Sequence, residues 1–232
     1  MPRRLRLSTG GLAYHVLNRA AGRGRLFDDD ADYLAMERVI AQTHRRLAMR
    51  IVSYCLMPNH WHFVLWPRED GELSEFMRLM TITHTQRWHA HHQTAGTGPL
   101  YQGRFKSFPI QKDEHFLTVC RYVERNAVRG NLVKSAQQWG WGGLAKRFAK
   151  EPPAWLLEMS RWPVDPPRGW TAWVNRAQTA AELEKLRQSV KRGCPYGEDR
   201  WQNRTAKQLG LESTLRPRGR QRVRQIKDSR PL

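Results

Sequence analysis

Short apolar segments rich in β-branched and aromatic residues predict strands in the first half of the chain. Three of them cover residues 12–19 (LAYHVLNR), 50–57 (RIVSYCLM) and 60–66 (HWHFVLW). Only Pro58 and Asn59 separate the second segment from the third, so these two form a predicted hairpin with a short turn. A fourth segment, residues 105–111, contains Pro109. Proline cannot donate a ladder hydrogen bond, so this segment is a predicted edge strand.

Longer segments between the strands repeat apolar residues at the spacing of a helix face. They cover residues 28–47, 71–92 and 113–130. Acidic residues open the first of them, which suits a helix N-terminus, and Gly130 follows the last. A chain that mixes antiparallel strands with such helices is predicted to be an α+β domain. We expect an antiparallel sheet with helices packed on one face of it.

The remainder of the chain has a different composition. Residues 136–175 are rich in Trp, Gly and Pro and show no periodic pattern, which predicts a connecting segment. Residues 179–193 predict a small helix, which Gly193 can end. We therefore expect a core over residues 1–135, followed by the connecting segment. A small helical unit with a basic tail over residues 176–232 completes the chain.

The charge of the chain points to a polyanionic partner. The 232 residues include 40 Lys and Arg against 21 Asp and Glu, which gives a formal net charge of +19. No apolar run approaches the roughly 20 residues that cross a bilayer, and the N-terminus lacks the apolar region of a secretory signal. These patterns predict a cytoplasmic, nucleoid-associated protein without a membrane partner. Three widely spaced cysteines indicate neither a disulfide framework nor a thiolate zinc site.

Two histidines in the third predicted strand are candidate metal ligands. His60 and His62 are two residues apart, so in a strand they point to the same face at a separation of about 7 Å. Two neutral imidazoles there need only one or two oxygen donors to complete a site for a divalent cation. Buried, hydrogen-bonded histidines without a metal are the alternative, and for this short pattern alone they are the more common case.

A second pair of candidate residues lies in the predicted helix that ends at Gly130. Tyr122 and Asn126 are four residues apart, so they share one face of the helix. Taken alone, a helical tyrosine is more often a packing residue with its hydroxyl at the surface, and an asparagine near a helix end is often only a polar residue there. Combined with the two histidines, they suggest a site that has a phenol, an amide oxygen and a metal.

The motifs that carry these residues resemble those of the single-tyrosine HUH transposases, in particular the branch associated with repetitive extragenic palindromes (REP). The matching segments are YHVLNR, YCLMPNHWHFVL, YQGRFKS and RYVERNAVRGNLV, in the family's order over residues 12–135. Residues 196–222 are similar to the C-terminal portion of that branch. Trp61 stands at the middle position of the HUH motif, which is usually a bulky apolar residue.

The resemblance implies a ferredoxin-like HUH endonuclease core and a definite chemistry. It implies that His60 and His62 bind Mg²⁺ or Mn²⁺, with Asn126 as the third protein ligand. Tyr122 would attack a phosphodiester of single-stranded DNA, forming a 5′-phosphotyrosine and releasing a 3′-hydroxyl. The implied substrates are REP-type DNA hairpins, and the enzyme would act as a monomer or a homodimer.

Basic residues in two other segments are candidate DNA contacts. Arg104 and Lys106 alternate with Tyr101 and Phe105, which suits phosphate contacts beside base-stacking rings. A structural alternative places Phe105 in the core. The tail offers Arg216, Arg218, Arg220 and Arg222. Residues 216–230 hold seven basic side chains, and at a slope of about 0.7 per contact a fourfold rise in salt lowers affinity nearly 10³-fold.

A cluster of histidines at the end of the second predicted helix offers a further candidate. His84, His89, His91 and His92 favour a solvated, phosphate-contacting face over a second metal site, because we expect no carboxylate near them. Two other functions stay open for the protein as a whole. One is a nucleic-acid-binding regulator that does not cleave, and the other is a metal phosphodiesterase that forms no covalent intermediate.

Overall fold

A four-stranded antiparallel sheet forms the centre of the computed structural model, which describes residues 8–216. The strands are β1 (Ala13–Arg19), β2 (Arg50–Met57), β3 (His60–Trp66) and β4 (Lys106–Ile110), in the order β2-β3-β1-β4. The predicted hairpin is confirmed, with β2 and β3 joined at Pro58 and Asn59. The prediction of β4 as an edge strand is confirmed as well, because β1 is its only strand neighbour among residues 8–216.

Helices follow the strands in the order that the periodic segments predict. They are α1 (Asp30–Arg46), α2 (Glu72–His91), α3 (Glu114–Glu124), α4 (Asn126–Arg129), α5 (Gly143–Arg147), α6 (Trp170–Asn175), α7 (Ala180–Arg192), α8 (Asp199–Gln208) and α9 (Glu212–Leu215). Short 3₁₀ turns lie at Ala21–Arg23, Ala136–Gln138 and Met159–Arg161. The α+β class is confirmed, whereas the expectation of helices on one face of the sheet is wrong.

Both faces of the sheet are covered. On the first face, side chains such as Tyr54 and Phe63 pack against α1 and α2. On the second face, Val64 and Phe108 pack against α3 and later helices. The sequence of β2 explains why both faces are covered. Its apolar residues follow one another almost without interruption, and seven of its eight residues are buried. Such a run is typical of a strand that is covered on both sides.

The last of the three predicted helices is divided in two between Tyr122 and Asn126. Residues 113–130 form α3 and α4, which Arg125 separates with φ −85° and ψ 4°. The backbone hydrogen bonds continue through the break, from Arg125 N to Arg121 O at 2.9 Å and from Arg129 N to Arg125 O at 3.0 Å. Residues four apart therefore still lie on one side of this segment.

The Trp-rich segment is bound to α3, the helix that carries Tyr122. Trp170 Nε1 donates to the buried carboxylate of Glu124 at 2.7 Å, and Ser53 Oγ donates to the same carboxylate at 3.1 Å. The guanidinium of Arg121 donates to the carbonyls of Arg176 and Ala177 at 2.9 and 2.8 Å. These contacts fix the position of α3 against the sheet.

Helix α7 closes the second face beside β4. Thr179 and Glu182 form a capping box at its start, and Gly193, with φ 72°, ends it as the sequence predicts. Beyond it, Tyr196 N donates to Pro109 O and Gln111 N donates to Tyr196 O, both at 2.9 Å. This pairing covers the outer edge of β4, which otherwise would expose unpaired backbone groups.

Candidate active site

A cleft of about 560 Å³ opens on the second face of the sheet, where β1 and β3 end beside α3 and α4. Six of the predicted site residues line it: His60, His62, Arg104, Lys106, Tyr122 and Asn126. They come from β3, from the loop before β4, from β4 itself and from the α3–α4 segment. Residues separated by more than sixty positions in the chain thus meet in one cavity.

The strand register brings the two histidines to the cleft. His60 pairs with Arg19 and His62 with Leu17 across β1 and β3. Residues directly opposite in an antiparallel pair point to the same face, so both imidazoles share the face with Leu17 and Arg19. The ring centroids of His60 and His62 lie 5.0 Å apart.

Each of these imidazoles is held through its Nδ1 atom. His60 Nδ1 lies 2.6 Å from Asn59 Oδ1. An amide oxygen only accepts, so this nitrogen carries the proton and Nε2 keeps its lone pair. His62 Nδ1 lies 2.8 Å from Nε2 of His15, a buried residue in the middle of β1.

Burial keeps both rings neutral. It lowers the pKa of His60 to about 4, with a further contribution from the positive charges of Arg19 and Arg129. Burial also holds the pKa of His62 well below the ordinary histidine value, and the neighbouring His15 and His60 add to the effect. Neutral imidazole is the form that binds a metal, so the environment of the pair favours ligation near neutral pH.

Tyr122 and Asn126 face these rings from the helical side of the cleft. The Tyr122 ring stands edge-on to His62, with 5.9 Å between the ring centroids. The guanidinium of Arg129 lies over the same ring, 3.9 Å from its centroid. Its charge can stabilise negative charge that develops on the phenol or on a phosphate beside it.

The polar donors in the cleft form a set that suits a divalent cation. Asn126 is buried, and its Nδ2 has no hydrogen-bond partner among residues 8–216. No other side chain in that range therefore holds the amide through this nitrogen. Two neutral imidazoles and one amide oxygen are ligands that Mg²⁺ and Mn²⁺ accept together with water and phosphate oxygens.

The expected DNA contacts are placed in part. Arg104 and Lys106 are exposed in the cleft, and Arg104 also borders a second depression of about 490 Å³ beside α2. Tyr101 and Phe105 are buried, so the alternative that places Phe105 in the core is correct and these two rings are not exposed stacking surfaces. Arg216 is exposed, whereas Arg218, Arg220 and Arg222 lie outside the described residues.

The histidines at the end of α2 depart from the expected solvated face. His84 is buried, and its Nδ1 lies 2.6 Å from the hydroxyl of Tyr101. A carboxylate does lie near the others, because His92 Nε2 is 2.9 Å from Asp32 Oδ1. Asp32, His91 and His92 bring ligand atoms within 4.8 Å of one another, which is close enough to hold a metal ion. The sequence did not reveal this because Asp32 is in α1 and reaches α2 only in the folded chain.

Comparison with known families agrees with the geometry of the cleft. The family model described as transposase IS200-like matches residues 8–126. The chain belongs to the IS200-like transposase family. The matched part of this transposase contains all four strands and the residues His60, His62, Tyr122 and Asn126.

The transposase fold is also similar to a solved structure. That structure is a REP-associated tyrosine transposase bound to a REP hairpin, with a TM-score of 0.53 and 20% sequence identity. The match covers 65% of this chain and 86% of that one. A search of characterised protein sequences finds no match. Within residues 8–216, no helix has the length and apolar character needed to cross a membrane.

Three residues of the transposase cleft and its support were missed in the sequence. His15 contacts His62, and Arg19 and Arg129 line the cleft. Arg129 had a recognisable signal, because it lies seven residues after Tyr122 and three after Asn126, on the same helical side. His15 and Arg19 lie in the matching segment YHVLNR, but their placement at the cleft depends on the register between β1 and β3.

Proposed function

We propose that this transposase is a metal-dependent single-strand DNA endonuclease and strand transferase that acts on REP-type hairpins through a 5′-phosphotyrosine intermediate. The observation that carries the proposal is the meeting of His60, His62, Tyr122 and Asn126 in one cleft. A phenol beside two neutral imidazoles and a buried amide suits phosphodiester transfer to tyrosine with the help of a divalent cation. The cationic side chains around them suit a polyanionic substrate.

In the proposed reaction, Tyr122 supplies the nucleophile. Its phenol oxygen forms a bond to the scissile phosphorus while the bond from phosphorus to the 3′-oxygen breaks. The phenol releases its proton to solvent, the departing oxygen takes up a proton and becomes a 3′-hydroxyl, and the 5′-phosphate stays on Tyr122. Because a phenol is a better leaving group than an alcohol, a second 3′-hydroxyl can reverse the step and join a new strand.

The other residues of the cleft position the phosphate and balance its charge. Arg129 lies over the Tyr122 ring, and Arg19 lies beside His60, so both can face the non-bridging oxygens of the phosphate. His60, His62 and Asn126 would hold Mg²⁺ or Mn²⁺. When bound, such a cation supplies positive charge that polarises the phosphate and stabilises the charge that develops on it.

The hairpin part of the proposal rests on the solved relative and on charge. The similar structure holds a REP hairpin, and this chain has a net charge of +19. We assign cleavage to a core over residues 1–135 and DNA retention to the basic region over residues 176–232, with 136–175 connecting them. Arg104 and Lys106 would contact the backbone of the single strand next to Tyr122.

The decisive variant is Tyr122→Phe, which removes only the nucleophilic oxygen. Wild-type protein incubated with Mn²⁺ and a hairpin that carries a single-stranded flank should give a covalent protein–DNA band on a denaturing gel. Tyr122→Phe should give no such band and should bind the hairpin as the wild type does. Tyr33→Phe makes the same chemical change at a buried tyrosine of α1 and should leave the band unchanged.

The rival functions give different results in the same experiment. A regulator that does not cleave would bind the hairpin with no band and no nicking in any variant. A metal phosphodiesterase would nick the DNA without a covalent band. A band that persists in Tyr122→Phe would overturn the assignment of the nucleophile.

A further inference from the structure

We propose that His15 is a positioning residue, which accepts a hydrogen bond from His62 and so directs the Nε2 lone pair of His62 into the cleft. The inference rests on the proposed function, in which His62 is a ligand of the divalent cation. It assigns a role to a residue that would itself contact neither the cation nor the DNA.

The position of His15 is unusual for a polar ring. It lies in the middle of β1 with no exposed surface, beside Phe108, whose ring centroid is 4.9 Å away. Its side chain has one polar contact among residues 8–216, from Nε2 to His62 Nδ1 at 2.8 Å. Burying a polar ring at such a site costs free energy that an apolar side chain would not cost.

The sheet sets this contact. His15 pairs with Val64, two residues along β3 from His62, and all three side chains point to the second face. The two imidazoles stack with 5.0 Å between their centroids and 24° between their planes. Because both rings are fixed in central strands of the sheet, His62 has little freedom to turn and its other nitrogen keeps one direction.

The hydrogen bond can form in two ways, and only one suits a metal ligand. A neutral imidazole carries its proton on one nitrogen and a lone pair on the other. If His62 Nδ1 donates to His15 Nε2, then Nε2 of His62 is left with a lone pair for a cation. If His15 donates instead, the proton of His62 sits on Nε2 and blocks ligation. His15 acts as the acceptor, which allows the first arrangement.

The neighbouring His60 also has a hydrogen-bond partner at Nδ1, but this partner is an amide rather than an imidazole. His60 donates from Nδ1 to the amide oxygen of Asn59 at 2.6 Å. Each histidine of the pair therefore has its own partner at Nδ1, one from the turn and one from β1. Partners of this kind orient the ligand and fix its tautomer, and their loss typically weakens metal binding by about 10- to 100-fold.

Two substitutions at His15 separate positioning from packing. His15→Phe keeps a ring of similar size but has no acceptor, and His15→Gln places an amide oxygen near the position of Nε2. The affinity of the full chain for Mn²⁺, measured by calorimetry without DNA, should fall about 10- to 100-fold in His15→Phe and stay near the wild-type value in His15→Gln. His84→Phe, the same change at a buried histidine outside the cleft, should leave the affinity unchanged.

A second readout is the tautomer of His62 itself. Long-range ¹H–¹⁵N spectra of histidine-labelled protein with Mg²⁺ should show the proton on Nδ1 in the wild type and in His15→Gln. A proton on Nε2 in the wild type, or a loss of Mn²⁺ affinity in His15→Gln as large as in His15→Phe, would overturn the inference. So would wild-type affinity in His15→Phe. If the wild-type protein binds no Mn²⁺, the proposed function fails and the inference fails with it.

Discussion

At the scale of single residues, burial sets the chemical state of the histidines in this transposase. His15, His60, His62 and His84 are all held neutral, and burial is the largest cause of the lowered pKa in each. The consequences differ with place. In the cleft a neutral ring is free to serve as the proposed ligand, whereas His84, whose Nδ1 lies 2.6 Å from the Tyr101 hydroxyl, makes the fold sensitive to acid.

The acid sensitivity can be measured at His84. Burial lowers the pKa of His84 to about 4 from 6.5, so below pH 6.5 the unfolded chain takes up the proton more readily and the fold loses stability as the pH falls. Near pH 5 this amounts to about 2 kcal/mol. Urea unfolding measures the free energy of unfolding near pH 7 and near pH 5. The decrease between the two pH values should be smaller in His84→Gln than in the wild type by about that amount. The exposed His91→Gln should match the wild type, and equal losses in all three proteins would refute the assignment.

What the sequence revealed at this scale depended on how local the signal was. His60 and His62, two apart on one strand, and Tyr122 and Asn126, four apart on one helical segment, were recognisable from spacing and motif. His15 reads as an ordinary inward position of a strand, and its contact with His62 follows from the β1–β3 register. The pairing of Asp32 with His92 depends on how α1 packs against α2, which no local pattern contains.

At the scale of elements, the hairpin was predictable to the residue because Pro58 and Asn59 interrupt two β-rich runs. Helices were expected on one face of the sheet, whereas the nearly continuous apolar run of β2 is typical of a strand that is covered on both faces. The break between α3 and α4 at Arg125 was missed as well, since no glycine or proline marks it.

Helix α7 offers a test of how an element supports the cleft. It packs beside β4 and brings Val190 to the cleft wall, and Gly193 ends it with φ 72°. An added Cβ at Gly193 meets Ser107 O at an ordinary 3.6 Å, so the left-handed backbone is the source of the cost. Gly193→Ala should lower the free energy of unfolding by about 1 kcal/mol.

A matched glycine provides the control for that substitution. A Cβ added at Gly140 would meet no atom within 4 Å beyond its chain neighbours, and its φ is not positive, so Gly140→Ala should leave the stability unchanged or raise it slightly. Denaturant unfolding of both variants measures the difference. Equal stabilities for Gly193→Ala and Gly140→Ala would show that the end of α7 is not constrained as described.

At the scale of the whole molecule, the distribution of charge leads us to expect that different regions retain DNA and carry out the proposed cleavage. The net charge of +19 far exceeds what the few cationic residues of the cleft supply. Many of the remaining basic residues lie toward the C-terminus, including the arginines at every second position from 216 to 224. We therefore expect these arginines to dominate the electrostatic part of affinity while the cleft carries the chemistry.

The expected division appears in the salt dependence of binding. Replacing Arg218, Arg220, Arg222 and Arg224 by Gln should reduce the slope of log affinity against log salt by about 3, because each single-strand contact contributes about 0.7. The rate of covalent adduct formation at saturating DNA should not change. Arg45 and Arg46 are exposed at the C-terminal end of α1. Replacing both by Gln should leave the slope nearly unchanged. An unchanged slope in the fourfold variant would rule out the tail as a DNA contact.

The most direct test of the central claim is to identify the covalent bond. A hairpin oligonucleotide labelled separately at its 5′ and 3′ ends is incubated with the protein and Mn²⁺, and the adduct is digested and sequenced by mass spectrometry. The account predicts that the fragment carrying the 3′ label is joined through its 5′-phosphate to Tyr122, and that the other fragment ends in a free 3′-hydroxyl. Attachment at any other residue, or the 5′-labelled fragment on the protein, would contradict it.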